Sequence, residues 1–168
     1  MSMSLRVIVP PHPLISHWLT ILRNPTTPEI LYATGLEQLG TWLTYEALRD
    51  WIPSKKEQIT TSAGTTECSI IDPNIPILAI PYLPAGLELF RGARNLIPNS
   101  NLCIGGLPKE IEENAGIIFY IDQITTGKHL LKDLNHLKNK KIDARLSLIH
   151  ISEPTRRTPI SYAVFCLK

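Results

Sequence analysis

Two apolar runs of strand length, "IPILAIPYL" at residues 75–83 and "AGIIFYID" at 115–122, constrain the fold more than any other feature of the chain. Neither alternates apolar with polar residues. Each therefore predicts a strand covered on both faces, the pattern of a parallel sheet sandwiched between helices. A helical segment follows each run, "GLELFRGARNLIP" after the first and "HLLKDLNHLKNKK" after the second. The second places Leu130, Leu131, Leu134 and Leu137 on one side, with lysines at the end where a helix dipole favours cations. "NLCIGG" predicts another buried strand between the two units, and "IDARL" predicts the start of a fourth.

Upstream the period is helical. In "HPLISHWLTILRN" Leu14, Trp18 and Leu22 recur at helical spacing, Pro13 suits the first turn and Pro25 ends the element. Thr27, Pro28 and Glu29 then read as N-cap, first helical position and dipole-compatible acid. Tyr32, Leu36, Leu39, Leu43 and Ala47 line one face of that second helix, which Pro53 closes; Gly35 and Gly40 lower its propensity. "EQITTSAGTTECSIID" (57–72) predicts a hairpin turning at Ser-Ala-Gly. Two helices, a hairpin and then alternating strands and helices predict an α/β fold with a parallel central sheet flanked by helices.

Composition excludes several classes. A net charge of +2 over 168 residues argues for neither a nucleic-acid footprint nor an acidic tail. No apolar run approaches the roughly 20 residues of a membrane helix, and "MSMSLRVIVPPHP" lacks the parts of a secretory signal. Cys68, Cys103 and Cys166 form no metal-ligand or disulfide spacing, so a reducing compartment is expected. The 22 isoleucines, with many Asn and Lys, suggest AT-rich codons, hence an organelle or an AT-rich bacterium and a location in cytoplasm or plastid stroma.

Residues 146–168, "LSLIHISEPTRRTPISYAVFCLK", read differently. Residues 146–156 and 160–167 match, in register, the translation of the two fixed parts of a common transposase sequencing adapter. The codons for Arg157, Thr158 and Pro159 have the length of its variable index. This predicts a domain over 1–145 and a non-native tail over 146–168 that packs poorly, with Phe165 and Leu167 off the sheet. His150, Cys166 and the Arg156-Arg157 pair are given no functional weight in that reading.

Loops that follow parallel strands are where such folds bind ligands. In "YIDQITTGKHL" (120–130), Thr125, Thr126 and Gly127 offer hydroxyls and backbone N–H groups at a helix N-terminus, which favours an anion. Asp122 is placed to hydrogen-bond ribose hydroxyls or to reach a metal through water. The residues alone leave a second reading open, a strand-to-helix turn whose threonines merely cap the helix. His12 and His17 read as packing or solvent-facing, Glu46, Arg49 and Asp50 as a helical ion-pair group, and Trp18, Trp42 and Trp51 as core or subunit-interface residues.

Taken together, "PPHPLISHWLTILRN", "WLTYEALRDWIP", "IPYLPAGLELFRGARNLIP" and "IDQITTGKH" occur in the order of, and resemble, the motifs of uracil phosphoribosyltransferase, particularly its cyanobacterial and red-algal plastid forms. The resemblance covers residues 10–145 and implies the type I phosphoribosyltransferase fold, incomplete at its C-terminus. It also implies condensation of uracil with 5-phosphoribosyl-1-pyrophosphate to UMP and pyrophosphate, with Mg2+ as helper and a homo-oligomer allowed. Asp122, Gln123, Ile124, Thr125, Thr126, Gly127, Lys128 and His129 correspond to the phosphoribosyl pyrophosphate loop. Pro84, Ala85 and Gly86 correspond to the pyrophosphate-side loop.

The match departs from the family at several points. Lys128 replaces a glycine that lets phosphate approach, so obstruction is expected there. Ile121 stands where the general type I pattern has an acid. Pro84 replaces an arginine, removing a cation and a backbone donor. After Gly106 the family's Leu-Tyr-Arg-Asp segment has no counterpart, and no Gly-Asp-Ala-Gly-Asp-Arg stretch for uracil follows Arg145. Losing such cations typically costs orders of magnitude in rate. The resemblance thus implies an inactive or impaired enzyme. The alternative is a non-catalytic nucleotide-binding or regulatory protein on the same fold.

Overall fold

The computed structural model describes residues 5–49, 51–97, 99–124, 126–140, 145–151 and 162–167. In chain order the elements are β1 (Leu5–Ile8), α1 (Pro13–Arg23), α2 (Glu29–Leu48), β2 (Ser54–Thr61), β3 (Gly64–Ile71) and β4 (Ile77–Pro81). They continue with α3 (Ala85–Ala93), β5 (Ser100–Leu102), β6 (Gly116–Ile121), α4 (Lys128–Asn139), β7 (Arg145–Ile151) and β8 (Tyr162–Leu167). Six strands form one sheet in the order β1-β8-β7-β6-β4-β5, while β2 and β3 form a separate antiparallel hairpin. The central strands β5, β4, β6 and β7 are mutually parallel, as the two continuous apolar runs require. β8 and β1 add antiparallel strands at one edge.

Every residue of β4 and β6 is buried, because helices cover both faces of the sheet. On one face Leu36, Leu39 and Leu43 of α2 and Leu89 of α3 pack on Ile118, Tyr120 and Ile149. On the other, Leu137 of α4 packs with Leu78, Ile117, Phe119 and Leu146. α2 and α3 cross with almost no gap. A Cβ at Gly40 would lie 1.9 Å from the Leu89 carbonyl oxygen, and one at Gly92 would lie 1.8 Å from that of Glu37. Gly40 therefore does more than lower propensity; no other residue allows this crossing.

Several expectations are adjusted. α1 buries Ile15 and Leu19, flanked by partly buried Trp18 and Leu22, and leaves Leu14 exposed. α2 takes Pro28 as its N-cap, and the Thr27 hydroxyl instead donates to the Ile21 carbonyl at 2.6 Å, tying the α1–α2 turn. β5 is a three-residue outer strand with Asn101 and Leu102 exposed, not a buried one, because only β4 flanks it. Leu131 is 56% exposed, since Leu130, Leu134 and Leu137 already fill the i, i+4, i+7 stripe. β1 was not foreseen.

The expectation that residues 146–168 stay off the sheet is not met. β7 runs parallel to β6 from Arg145 to Ile151, and in β8 Phe165 pairs with Leu148 and Leu167 with Leu146. Residues 142–144, the predicted start of that fourth strand, and 152–161, with the Arg156-Arg157 pair, lie outside the described residues. "LSLIHI" joins the sheet because the helix α4 delivers the chain to the open edge of β6, and its residues suit both covered faces. Ile149 is fully buried toward α2, Leu146 is buried toward α4, and the Ser147 hydroxyl accepts from Trp51 Nε1 at 2.7 Å. Where the segment originates is a separate matter from how it packs.

Candidate functional site

Because β5, β4 and β6 are parallel, the loops that follow them share one edge of the sheet. The β4 loop is held there by two hydrogen bonds and one close approach of backbone. The Tyr82 N–H donates to the Tyr120 carbonyl at 2.9 Å, and the Gly86 N–H donates back to the Tyr82 carbonyl at 2.9 Å. A Cβ on Gly86 would lie 2.3 Å from that same Tyr120 oxygen. Gly86 is thus required for the N-terminus of α3 to reach β6. Beside it Ala85 packs against the core, and Pro84 is exposed at the N-cap of α3, presenting no cation and no N–H.

The β6 loop ends at Gly127, whose left-handed φ of 65° makes it the N-cap of α4. A side chain is strained at that φ, which explains the glycine. Its carbonyl accepts from the Leu131 N–H at 2.8 Å, so the helix starts sharply and its first-turn N–H groups form the positive end of α4. Thr126, Lys128 and His129 are exposed around this end, while Ile124 packs into the α4-side core; Thr125 lies outside the described residues. Lys128 is the first helical residue of α4.

Strand alternation places Asp122 on the side of Tyr120, toward α1 and α2. With Gln123, Arg23 and Tyr32 it lines a small cavity of about 30 Å³. Its charge reaches His150, whose imidazole pKa is pushed below the ordinary value by burial, with Asp122 opposing that shift. The predicted site residues therefore divide between two faces. Asp122 and Gln123 open toward the N-terminal helices, and Lys128 and His129 toward α4.

On the α4 face a cavity of about 380 Å³ lies between the ends of β4 and α4, lined by Pro81, Tyr82, Leu83, Gly105, Gly106, His129, Lys132 and Asp133. The Tyr82 hydroxyl donates to Asp133 Oδ2 at 2.5 Å. Burial first, then that hydrogen bond and the Asp133 charge, push the Tyr82 pKa well above the tyrosine range, so it stays a neutral donor. Sequence reasoning missed Tyr82, Asp133 and Lys132; a pair 51 residues apart leaves no local signal. The adjacent glycines in "CIGG" were the one visible hint of this wall. An anion is what such an edge can hold: helix-end amides, two lysines and a left-handed glycine turn converge on it.

A family model described as uracil phosphoribosyltransferase matches residues 9–130. The chain belongs to the uracil phosphoribosyltransferase family. It is 35% identical over 162 residues to the uracil phosphoribosyltransferase of Synechocystis, covering 87% of this chain and 75% of that one. It is 30% identical over 155 residues to a relative from Arabidopsis thaliana named as chloroplastic, covering 83% and 52%. Among solved structures, the AQ2163 protein from Aquifex aeolicus superposes with a TM-score of 0.72 over 86% of this chain and 74% of that one, at 22% identity. That likeness concerns the fold. The family supplies the motif order, and the structure shows the β4 and β6 motifs brought to one edge.

His12, by contrast, has a structural part: its Nδ1 accepts from the Leu14 N–H at 3.2 Å as the N-cap of α1, and its ring stacks on Trp42. His17 is exposed with its ring edge-on to Trp18. Glu46 and Arg49 form the expected i,i+3 ion pair at 2.7 Å, with Asp50 outside the described residues. Among the described residues no three His, Cys, Asp or Glu side chains cluster as metal ligands, and no helix is long and apolar enough to cross a membrane.

Proposed function

We propose that this chain is a uracil phosphoribosyltransferase-type protein of pyrimidine salvage, taking 5-phosphoribosyl-1-pyrophosphate and uracil, and that as given it is impaired or inactive. The observation that carries the first half is the sharp start of α4 at Gly127 on the shared loop edge, in a chain of this family. There the 5-phosphate would meet the first-turn amides of α4 and the Thr126 hydroxyl, with the β4 loop facing the pyrophosphate. Impairment follows from what the edge lacks. Position 84 offers neither a cation nor a backbone donor beside the pyrophosphate. The alternative, a non-catalytic nucleotide-binding or regulatory protein, draws on the same exposed Pro84.

Magnesium enters this proposal only with the substrate. Asp122 is the one carboxylate in the β6 loop and lies toward α1 and α2, and among the described residues no group of carboxylates gathers around it. Such an ion is held chiefly by phosphate oxygens and water. The near-neutral charge supports small-molecule ligands over nucleic acid. The chloroplastic relative supports a plastid stroma location alongside the cytoplasmic alternative, and homo-oligomerisation remains part of the proposal.

The test is UMP formation from uracil and phosphoribosyl pyrophosphate with Mg2+, followed chromatographically. No measurable UMP is expected from the 168-residue chain; turnover within about a hundredfold of an intact relative overturns the impairment. Sequencing the genomic locus past the codon for Arg145 separates the two readings. A Gly-Asp-Ala-Gly-Asp-type continuation favours the enzyme, and its absence the binding protein. A locus that encodes "SEPTRRTPISYAVFCLK" refutes the adapter origin.

A further inference from the structure

Tyr82 joins the end of β4 to β6, α3 and α4 at once. Its N–H donates to the Tyr120 carbonyl of β6, and its own carbonyl accepts the Gly86 N–H in the first turn of α3. Its hydroxyl donates to Asp133 Oδ2 on α4 at 2.5 Å, and its ring lies against Phe119 with centroids 6.2 Å apart.

The start of α4 depends on that hydroxyl because the helix is anchored mainly at its other end. Leu137, in the last turn, is the one fully buried residue of α4, and the Lys140 ammonium donates to the Lys109 carbonyl just past it. Toward Gly127 the helix rests on Leu130 and Leu134, each half-buried, and Lys128, His129 and Leu131 are exposed. Among the described residues no other side-chain hydrogen bond or ion pair ties this first half of α4 to the sheet. Asp133 forms no ion pair with His129 or Lys132, which line the same cavity, so its carboxylate is committed to the tyrosine. A half-buried hydroxyl needs a partner in any fold. Here the partner it takes bridges the loop after β4 and the helix that follows the loop after β6.

We propose that Tyr82 and Asp133 are positioning residues, whose hydrogen bond holds the start of α4 in register with the β4 loop. The assignment rests on the phosphoribosyl reading only for the ligand that these two loops would share. Neither side chain has to touch that ligand. The tie acts by preorganisation: a helix start that is already held need not be ordered on binding, and that cost no longer reduces affinity.

The experiment compares Tyr82→Phe, which keeps the ring against Phe119, with Asp133→Ala, which removes the acceptor, and Asp133→Asn, which keeps one. Amide hydrogen exchange is read on the unliganded full chain, and ribose 5-phosphate affinity by calorimetry. Exchange at the Leu131 N–H, which bonds to the Gly127 carbonyl, should quicken roughly fivefold in Tyr82→Phe and in Asp133→Ala, with no further gain in the double variant. Affinity should fall by a similar factor in both, and Asp133→Asn should recover most of each change. The sign in Asp133→Ala is diagnostic, since deleting a carboxylate near an anion would by charge alone tighten binding. Trp51→Phe, which loses the bond to Ser147 beside Gly116 at the opposite edge of the sheet, serves as a destabilised control and should move neither readout. Unchanged exchange at Leu131, unchanged or tighter binding in Asp133→Ala, or an equal response in Trp51→Phe overturns the assignment. Quickened exchange in the variants, with no ribose 5-phosphate binding in the parent, supports the tie and overturns the phosphoribosyl reading instead.

Discussion

Replacing Gly86 by alanine sets two effects of opposite sign against each other. On propensity alone, Gly→Ala in the first turn of α3 stabilises a helix by up to about 1 kcal/mol. The structure opposes that gain. The new Cβ would sit 2.3 Å from the Tyr120 carbonyl oxygen, and the contact is backbone on a fully buried strand, not the end of a movable side chain. Relief requires α3 and the β4 loop to retreat by about 1 Å, a forced overpacking that typically costs 1–3 kcal/mol. The retreat also strains the Tyr82 N–H bond to that oxygen, worth about 1 kcal/mol net. Subtracting the propensity gain leaves an expected loss of about 1–3 kcal/mol. Urea unfolding followed by circular dichroism should show a lower midpoint with the slope unchanged. Ribose 5-phosphate binding should weaken too, because the β4 and β6 loops both take their position from Tyr120. A midpoint equal to or above that of the parent would refute the close-approach argument and return Gly86 to an ordinary helical position.

Thr44→Val removes the partner of the Tyr120 hydroxyl, 3.2 Å away and wholly buried, and should cost about 1–2 kcal/mol in the same assay; no change would mean the hydroxyl is satisfied elsewhere. Lys128→Gly tests obstruction against attraction at the start of α4. Because Lys128 is exposed and lines a cavity along α4, weaker ribose 5-phosphate binding is expected, whereas tighter binding would support the obstruction inferred from the family glycine. His150 gives an acid-side dependence: its folded pKa lies below the ordinary 6.5 through burial, so the folded state binds fewer protons there than the unfolded chain. Stability should therefore be full above about pH 6.5 and decline as pH falls below it, and His150→Gln should flatten that slope in unfolding midpoints measured from pH 7.5 to 5.

The sequence by itself determined the buried parallel strands, the helices that cover them and the ligand-binding edge. Unbroken apolar runs at 75–83 and 115–122 admit no exposed face, and a chain that alternates such runs with helices must bring its post-strand loops together. Family motifs at 84–86 and 122–129 sharpened that edge into specific residues. Local pattern also sufficed for the hairpin, since β-branched residues around Ser-Ala-Gly need no long-range partner to declare themselves.

Only the tertiary structure decided the rest, because each remaining feature depends on what arrives from elsewhere in the chain. Burial of β5 failed because strand order, not composition, made it an outer strand. Residues 145–151 entered the sheet because α4 delivers them to β6, an outcome independent of where that segment came from. Gly40 looked like a weak helix residue until Leu89 was placed against it. The loop residues Asp122 and Lys128 are close in sequence yet open to opposite faces of the sheet, because strand alternation governs the first and the start of α4 the second. Tyr82 and Asp133, 51 residues apart, met only when the end of β4 and the flank of α4 closed around one cavity.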